Sequence, residues 1–224
     1  MLRRVVCSCH LSLVSGHLPP ILYLASTNAG KLREFRQAGN SCGIFVEPVP
    51  DAQNLPPCVE DGATFEENAR KKALYYSHHA EGLVFADDSG LCVDALDGAP
   101  GIHSARFAGP ATDDAANNHK LLRELRPLPG PQRAAHYVCV IALAEHGRIL
   151  TVTQGRADGL VLETPRGSGG FGYDPLFFYP PLGKTFAELS PEEKFPVSHR
   201  GEAFRKLLDW LRENYKRRGA QSLY

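Results

Sequence analysis

The sequence predicts an α/β protein, and three observations carry that expectation. A strand–loop–helix unit opens it, a capped amphipathic helix runs into a second buried strand, and two β-rich runs precede a terminal amphipathic helix. In the first unit Ile21–Ala25 (ILYLA) is apolar throughout, as in a strand covered on both faces. Ser26-Thr27-Asn28-Ala29-Gly30-Lys31 follows, then a helical LREFRQA. A helix N-terminus offers free N–H groups and a positive dipole, which suit phosphate. An N-capped helix with no ligand fits the same residues, and the Walker A pattern GxxxxGK[ST] is absent.

Ile44–Val46 reads as the next strand, and Asp51–Cys58 as a Pro-rich loop. Thr64 and Glu67 form a capping-box pattern, predicting a helix to about Ala80 with Phe65, Ala69, Ala73, Tyr76 and Ala80 as its apolar stripe. Asn68 and Lys72 lie four apart and share a face; Lys71 reads as solvated. Lys72 fits either a solvated face or a cleft. After the short strand Leu83–Ala86, Asp87-Asp88-Ser89-Gly90 reads as a turn. Two adjacent carboxylates at a strand end repel unless a cation neutralises them, and a hard divalent ion would do so. Ser104-Ala105-Arg106 then delivers a guanidinium, and carboxylates with an Arg in one loop-rich segment suggest phosphate chemistry. A plain turn followed by a surface loop is the competing reading.

Thr112 is expected to cap a helix whose first turn carries Asp113 and Asp114 and which ends near Leu125. Ala134–Ala144 and Arg148–Ala157 read as strands joined in a hairpin at Glu145-His146-Gly147. The Gly-rich run Arg166–Pro175 lets backbone approach a ligand, with Phe171 and Tyr173 offering flat faces to a base; a long flexible loop with its aromatics tucked into the core fits the same residues. Leu176–Tyr179 resumes a strand. Ser190-Pro191-Glu192-Glu193 is a capping box opening a short helix that includes Lys194. Ser198-His199-Arg200-Gly201 leads into a last helix with Phe204, Leu207, Leu208, Leu211 and Tyr215 at helical spacing. Cations at a helix N-terminus oppose its dipole, which suggests a negative or carbonyl-rich ligand there, with a solvated Arg200 as the competing reading.

The 224 residues suit one large domain or two lobes, and 43% apolar with 22% charged residues is ordinary for a globular chain. Zero net charge disfavours a nucleic-acid polymer or an acidic membrane as partner. Six scattered cysteines without a CxxC pair argue against zinc and a disulfide framework, and fit a reducing cytoplasm. No apolar run is long enough to span a bilayer. Residues 1–20 read as a disordered extension without the clean apolar core of a secretory signal, 21–215 as a single domain and 216–224 as a tail.

Four separated stretches together carry a resemblance. They are SxNxxKxxE at Ser26–Glu34, TFEENARKKA at Thr64–Ala73, ADDSGLCVDALDGAPGIHSAR at Ala86–Arg106, and the pair GGFGYDP and SHRG, with EEK at Lys194. In this order they resemble the non-canonical purine nucleoside triphosphate pyrophosphatases, the inosine/xanthosine triphosphate pyrophosphatase family. The resemblance covers about Ile21–Leu211. It departs at residues 1–20, which have no counterpart, and at His103, where an aromatic is common.

The resemblance implies an elongated α/β fold of two lobes around a long mixed sheet, with the nucleotide in the cleft between them. It also implies a homodimer, a Mg²⁺ requirement, and hydrolysis of ITP, dITP and XTP to the monophosphate and pyrophosphate. Carried over by motif position, Ser26, Thr27, Asn28, Ala29, Gly30 and Lys31 would hold the triphosphate, supported by Lys72. Glu60 and Asp88 would bind Mg²⁺, with Asp88 also the general base and Ser89 touching substrate. Phe171, Gly172, Tyr173, Asp174, Lys194, His199 and Arg200 would line the nucleoside end. A Maf-type pyrophosphatase, a non-catalytic nucleotide-binding regulator and a metal-dependent phosphomonoesterase are the alternatives.

Overall fold

A computed structural model describes residues 21–110 and 113–221, with side chains to Asn214. The extension expected over residues 1–20 lies outside them. The strands are β1 (Ile21–Leu24), β2 (Phe45–Pro48), β3 (Leu83–Val93), β4 (Ala134–Glu145), β5 (Arg148–Val161), β6 (Phe177–Tyr179) and β7 (Lys184–Thr185). The helices are α1 (Ala29–Ser41), α2 (Phe65–Ser77), α3 (Asp114–Leu125), α4 (Pro191–Val197) and α5 (His199–Gln221). One seven-stranded sheet runs β2-β1-β3-β4-β5-β6-β7. Strand β1 is parallel to β2 and β3, and every later pairing is antiparallel. The expected α/β class and mixed sheet are therefore present.

Strand β3 organises the packing, because both its faces are covered. Leu83 and Phe85 point to the side held by α1 and α5, where Phe35, Phe85 and Phe204 meet with ring centroids 5.1–5.9 Å apart. Val84 and Ala86 point to the other side, against Ala69 and Ala73 of α2. A separate apolar cluster, including Leu121, Leu125, Tyr137, Phe177 and Phe186, forms the second lobe around α3 and the far ends of β4 and β5.

Several expected boundaries move. The Asp87–Gly90 stretch is not a turn: β3 continues through it to Val93, paired residue by residue with β4. Gly90 serves close approach instead of a bend. A Cβ there would collide with the Gly101 carbonyl and the Ser104 hydroxyl of the 3-10 segment Gly101–Arg106, which lies against the strand. The cap of α3 is Asp113, whose carboxylate accepts from the N–H groups of Ala115 and Ala116; Thr112 lies outside the described residues. Helix α2 stops at Ser77, whose hydroxyl donates to the Leu74 carbonyl and accepts from Gly147 N–H of the β4–β5 turn, so Ala80 is not helical.

Other local signals hold. Thr64 caps α2, although Glu67 reaches past it to the Ala63 N–H. Ser190 and Glu193 form the reciprocal box of α4, and His146-Gly147 turns the hairpin with φ of 47° and 72°. Gly155 on β5 is required because a Cβ would overlap the His199 carbonyl and the Ala203 N–H. Helix α5 thus sits directly on the sheet, and its first residues, His199 and Arg200, are placed by that contact.

Candidate active site

Strand periodicity divides the two adjacent acids. Side chains alternate along a strand, so Asp87 continues the Phe85 face toward α1 and α5, while Asp88 continues the Ala86 face toward α2. Asp87 is fully buried and pairs with Lys31 of α1 at 2.9 Å, with the Arg200 Nε of α5 at 3.8 Å. Ser89, on the same face, donates its hydroxyl to Asp87 Oδ2 at 3.1 Å. Asp88 accepts from Asn68 Nδ2 at 3.1 Å and lies 3.8 Å from Lys72 Nζ. The two carboxylates therefore do not share one cation, as their adjacency suggested; each has its own partners on its own face.

Their environments push them apart. Burial alone would raise the Asp87 pKa, but the charges of Lys31, Arg200 and Lys72 outweigh it and hold the group at about 2. Burial raises Asp88 above the ordinary aspartate value, with Lys72, Lys31 and Asn68 offsetting only part of that rise. One acid is held ionised and the other is shifted toward its protonated form.

Asp88 sits on the wall of a cleft of ≈ 570 Å³, and Asp87 is buried behind that wall. Part of the cleft wall is the loop Ser26–Asn28 with Lys31, where Asn28 caps α1 by accepting from the Lys31 N–H at 3.0 Å. Glu60, Lys72 and Asp88 form the adjoining wall. Lys72 Nζ joins Glu60 at 2.8 Å and donates to the Asp87 carbonyl at 2.8 Å. Burial disfavours its charge, but Asp88, Asp87 and Glu60 outweigh that and raise its pKa, so it stays an ammonium. Of its two expected settings, Lys72 takes the cleft, whereas Lys71 pairs on the surface with Asp61.

Phe171–Asp174, Tyr137, His199 and Arg200 complete the lining. Tyr173 donates its hydroxyl to the Ser104 carbonyl at 2.8 Å. The His199 ring stacks on Tyr137 at 4.5 Å and 8°. Burial, then the charges of Arg200, Lys194 and Lys31, push His199 well below its usual pKa, so it is a neutral imidazole. Phe171 packs against Gly30, where a Cβ would come within 2.7 Å of the ring. The phosphate-type loop and the aromatic loop thus touch through one glycine.

Three expected residues are not on the cleft wall: Gly30 and Lys194 are buried behind it, and Ala29 is exposed outside it. Lys194 is buried between Asp174 at 2.6 Å and Glu34 at 2.7 Å, with its ammonium 5.1 Å from the Phe171 ring centroid. Glu34 also takes the Arg200 guanidinium at 2.6 Å, and Arg200 Nη2 donates to Ser89 at 3.1 Å. Despite burial, Arg200 and Lys194 lower the Glu34 pKa. The sequence pattern does not mark Glu34 or Asn68 as a site residue, although both stand in motif stretches, each at helical spacing from a lysine (Lys31 and Lys72). Tyr137 had no signal, since a strand tyrosine looks the same whether it faces core or cleft.

The donor set fits a hard divalent cation held mainly by its ligand. Among the described residues no group of three or more His, Cys, Asp or Glu could enclose a metal. Two carboxylates, Glu60 and Asp88, approach the same ammonium, and a magnesium-type site needs only one or two carboxylates plus phosphate oxygens.

Known proteins resemble this chain in sequence and fold. The Ham1 family profile matches residues 22–210. A dITP/XTP pyrophosphatase of Geobacillus kaustophilus is 50% identical over 186 residues, covering 83% of this chain and 91% of that protein. The protein of the same description from Desulforamulus reducens is 48% identical over 195 residues, covering 87% and 96%. The solved HAM1 protein of Coxiella burnetii superposes with a TM-score of 0.76 at 39% identity, over 87% of this chain and 99% of its own. With most of its length matched by sequence and by fold, this chain belongs to the Ham1 family.

Proposed function

We propose that the cleft hydrolyses dITP, ITP and XTP to the monophosphate and pyrophosphate. The observation that carries this reading is Asp88: a buried acid with a raised pKa, on the cleft wall beside Lys72 and Glu60. Its Oδ2 is held by Asn68, and its second oxygen faces the Lys72 side. As a carboxylate it orients and deprotonates the water that attacks the α-phosphorus. Lys31 and the N-terminus of α1 receive the phosphates, and Lys72 balances charge between Glu60 and Asp88. A divalent cation, Mg²⁺ in this reading, held by Glu60 and Asp88 would supply charge neutralisation to the phosphates.

Beside the aromatic loop, Arg200, fixed by Glu34, presents donors to a 6-oxo purine, with Phe171 and Tyr173 next to the base. Adenine's 6-amino group would leave those donors unpaired, which disfavours ATP. Lys194 supports this part of the site through Asp174 and Glu34. By family resemblance the protein is a cytoplasmic homodimer; a monomer mass by light scattering at micromolar concentration would reject the dimer.

The test is turnover of ITP, dITP, XTP, ATP and GTP, with and without Mg²⁺, identifying the released anion. Pyrophosphate from the first three, lost on chelation and restored by Mg²⁺, is the expected result. Orthophosphate release would favour a phosphomonoesterase, and equal turnover of ATP would remove the base-reading role from Arg200.

A further inference from the structure

Four cationic side chains line the cleft: Lys31, Lys72, Arg106 and Arg200. Three are already neutralised. Lys31 sits on Asp87, Lys72 on Glu60, and Arg200 on Glu34. Arg106 differs, being exposed, and among the described residues no carboxylate lies within salt-bridge distance of its guanidinium.

The backbone that carries Arg106 is nevertheless held firmly. Ser104 Oγ accepts from the Leu91 N–H at 2.9 Å and donates to the Gly101 carbonyl at 2.7 Å. Tyr173 donates to the Ser104 carbonyl, and Gly90 lets the segment lie flush on β3. The buried Asn117 of α3 clamps both sides of Arg106: its amide donates to the Ala105 carbonyl at 3.1 Å and accepts from the Ala108 N–H at 2.7 Å. A solvated surface arginine needs no such root.

We infer that Arg106 binds the polyphosphate of the substrate, supplying the cleft's uncompensated positive charge. This rests on the reading of the cleft as a nucleoside triphosphate site. A triphosphate is the strongly anionic part of that ligand, and a planar guanidinium suits phosphate oxygens. Ion-paired cations must give up or share a carboxylate to meet it; Arg106 need not. Its contact is to phosphate, so it serves every base equally.

The experiment titrates inorganic tripolyphosphate calorimetrically into wild type, Arg106→Ala and Arg106→Lys, alongside KM for ITP, dITP and XTP. A charge-assisted contact is worth about tenfold to a hundredfold in affinity. Arg106→Ala is expected to weaken tripolyphosphate and to raise all three KM values by a common factor in that range, with Arg106→Lys keeping most of the affinity. Unchanged tripolyphosphate binding in Arg106→Ala overturns the inference, as does a KM rise confined to one base. If wild type binds tripolyphosphate through Arg106 yet turns over none of the nucleotides, the pyrophosphatase reading fails while the phosphate role of Arg106 stands.

Discussion

Asp88→Asn is expected to lower kcat for dITP by at least about 10²-fold, the low end of what a positioned general base contributes. The carboxamide has nearly the same shape and keeps a polar contact for Asn68, so melting temperature should stay close to wild type. It cannot accept the water's proton and is a poorer ligand for a hard cation. The pH dependence has a definite sign. Only the carboxylate form accepts a proton, so turnover falls as pH drops through the Asp88 pKa. Because burial raises that pKa, the acid limb should lie above the ordinary aspartate value of 3.8. Steady-state kinetics across pH on both proteins checks this. Retention of more than a tenth of wild-type kcat would remove Asp88 from the base role.

Asp87→Asn should act on stability as well as activity. The Asp87 carboxylate is fully buried and meets Lys31 and Arg200 from two different helices. Removing one partner of a buried charge pair typically costs about 3–5 kcal/mol, because the remaining charge is left uncompensated. Linkage gives a related but separate quantity. The folded pKa of about 2 lies below the ordinary 3.8, so ionised Asp87 stabilises the fold at pH above 3.8. That contribution, about 2 kcal/mol from the shift, is lost as pH falls through about 2. Urea unfolding should therefore show wild type and Asp87→Asn far apart at pH 7 and converging in acid. A difference below about 1 kcal/mol at pH 7 would mean that Lys31 and Arg200 do not depend on Asp87. Activity should also fall, since Lys31 and Arg200 lose the anion that fixes them.

The contrast between these two aspartates marks where sequence reading stopped. Capping and turn chemistry is local, and Thr64, Ser190 and His146-Gly147 could be read from a few residues. Asp87-Asp88-Ser89-Gly90 has the composition of a turn, and only ten residue pairings with β4 keep it extended. That pairing comes from a partner more than forty residues away, which composition cannot reveal. Once the strand continues, alternation sends Asp87 toward α1 and α5 and Asp88 toward α2, and their roles separate. The site's own second layer was hidden for the same reason. Glu34 gains its meaning from Lys194 and Arg200, 160 and 166 residues further on. Lys194, conversely, carries a motif signal that gives its neighbourhood but not its depth: it lies near the Phe171 ring, paired with Glu34, and meets the cleft wall through Asp174.

In the proposed mechanism water, activated at Asp88, attacks the α-phosphorus and expels pyrophosphate. Hydrolysis of dITP in ¹⁸O-labelled water, with mass analysis of both products, tests it most directly. The predicted result is label in the monophosphate and none in the pyrophosphate. Label in pyrophosphate would place the attack at the β-phosphorus, and labelled orthophosphate would place it at the γ-phosphorus; either contradicts the account.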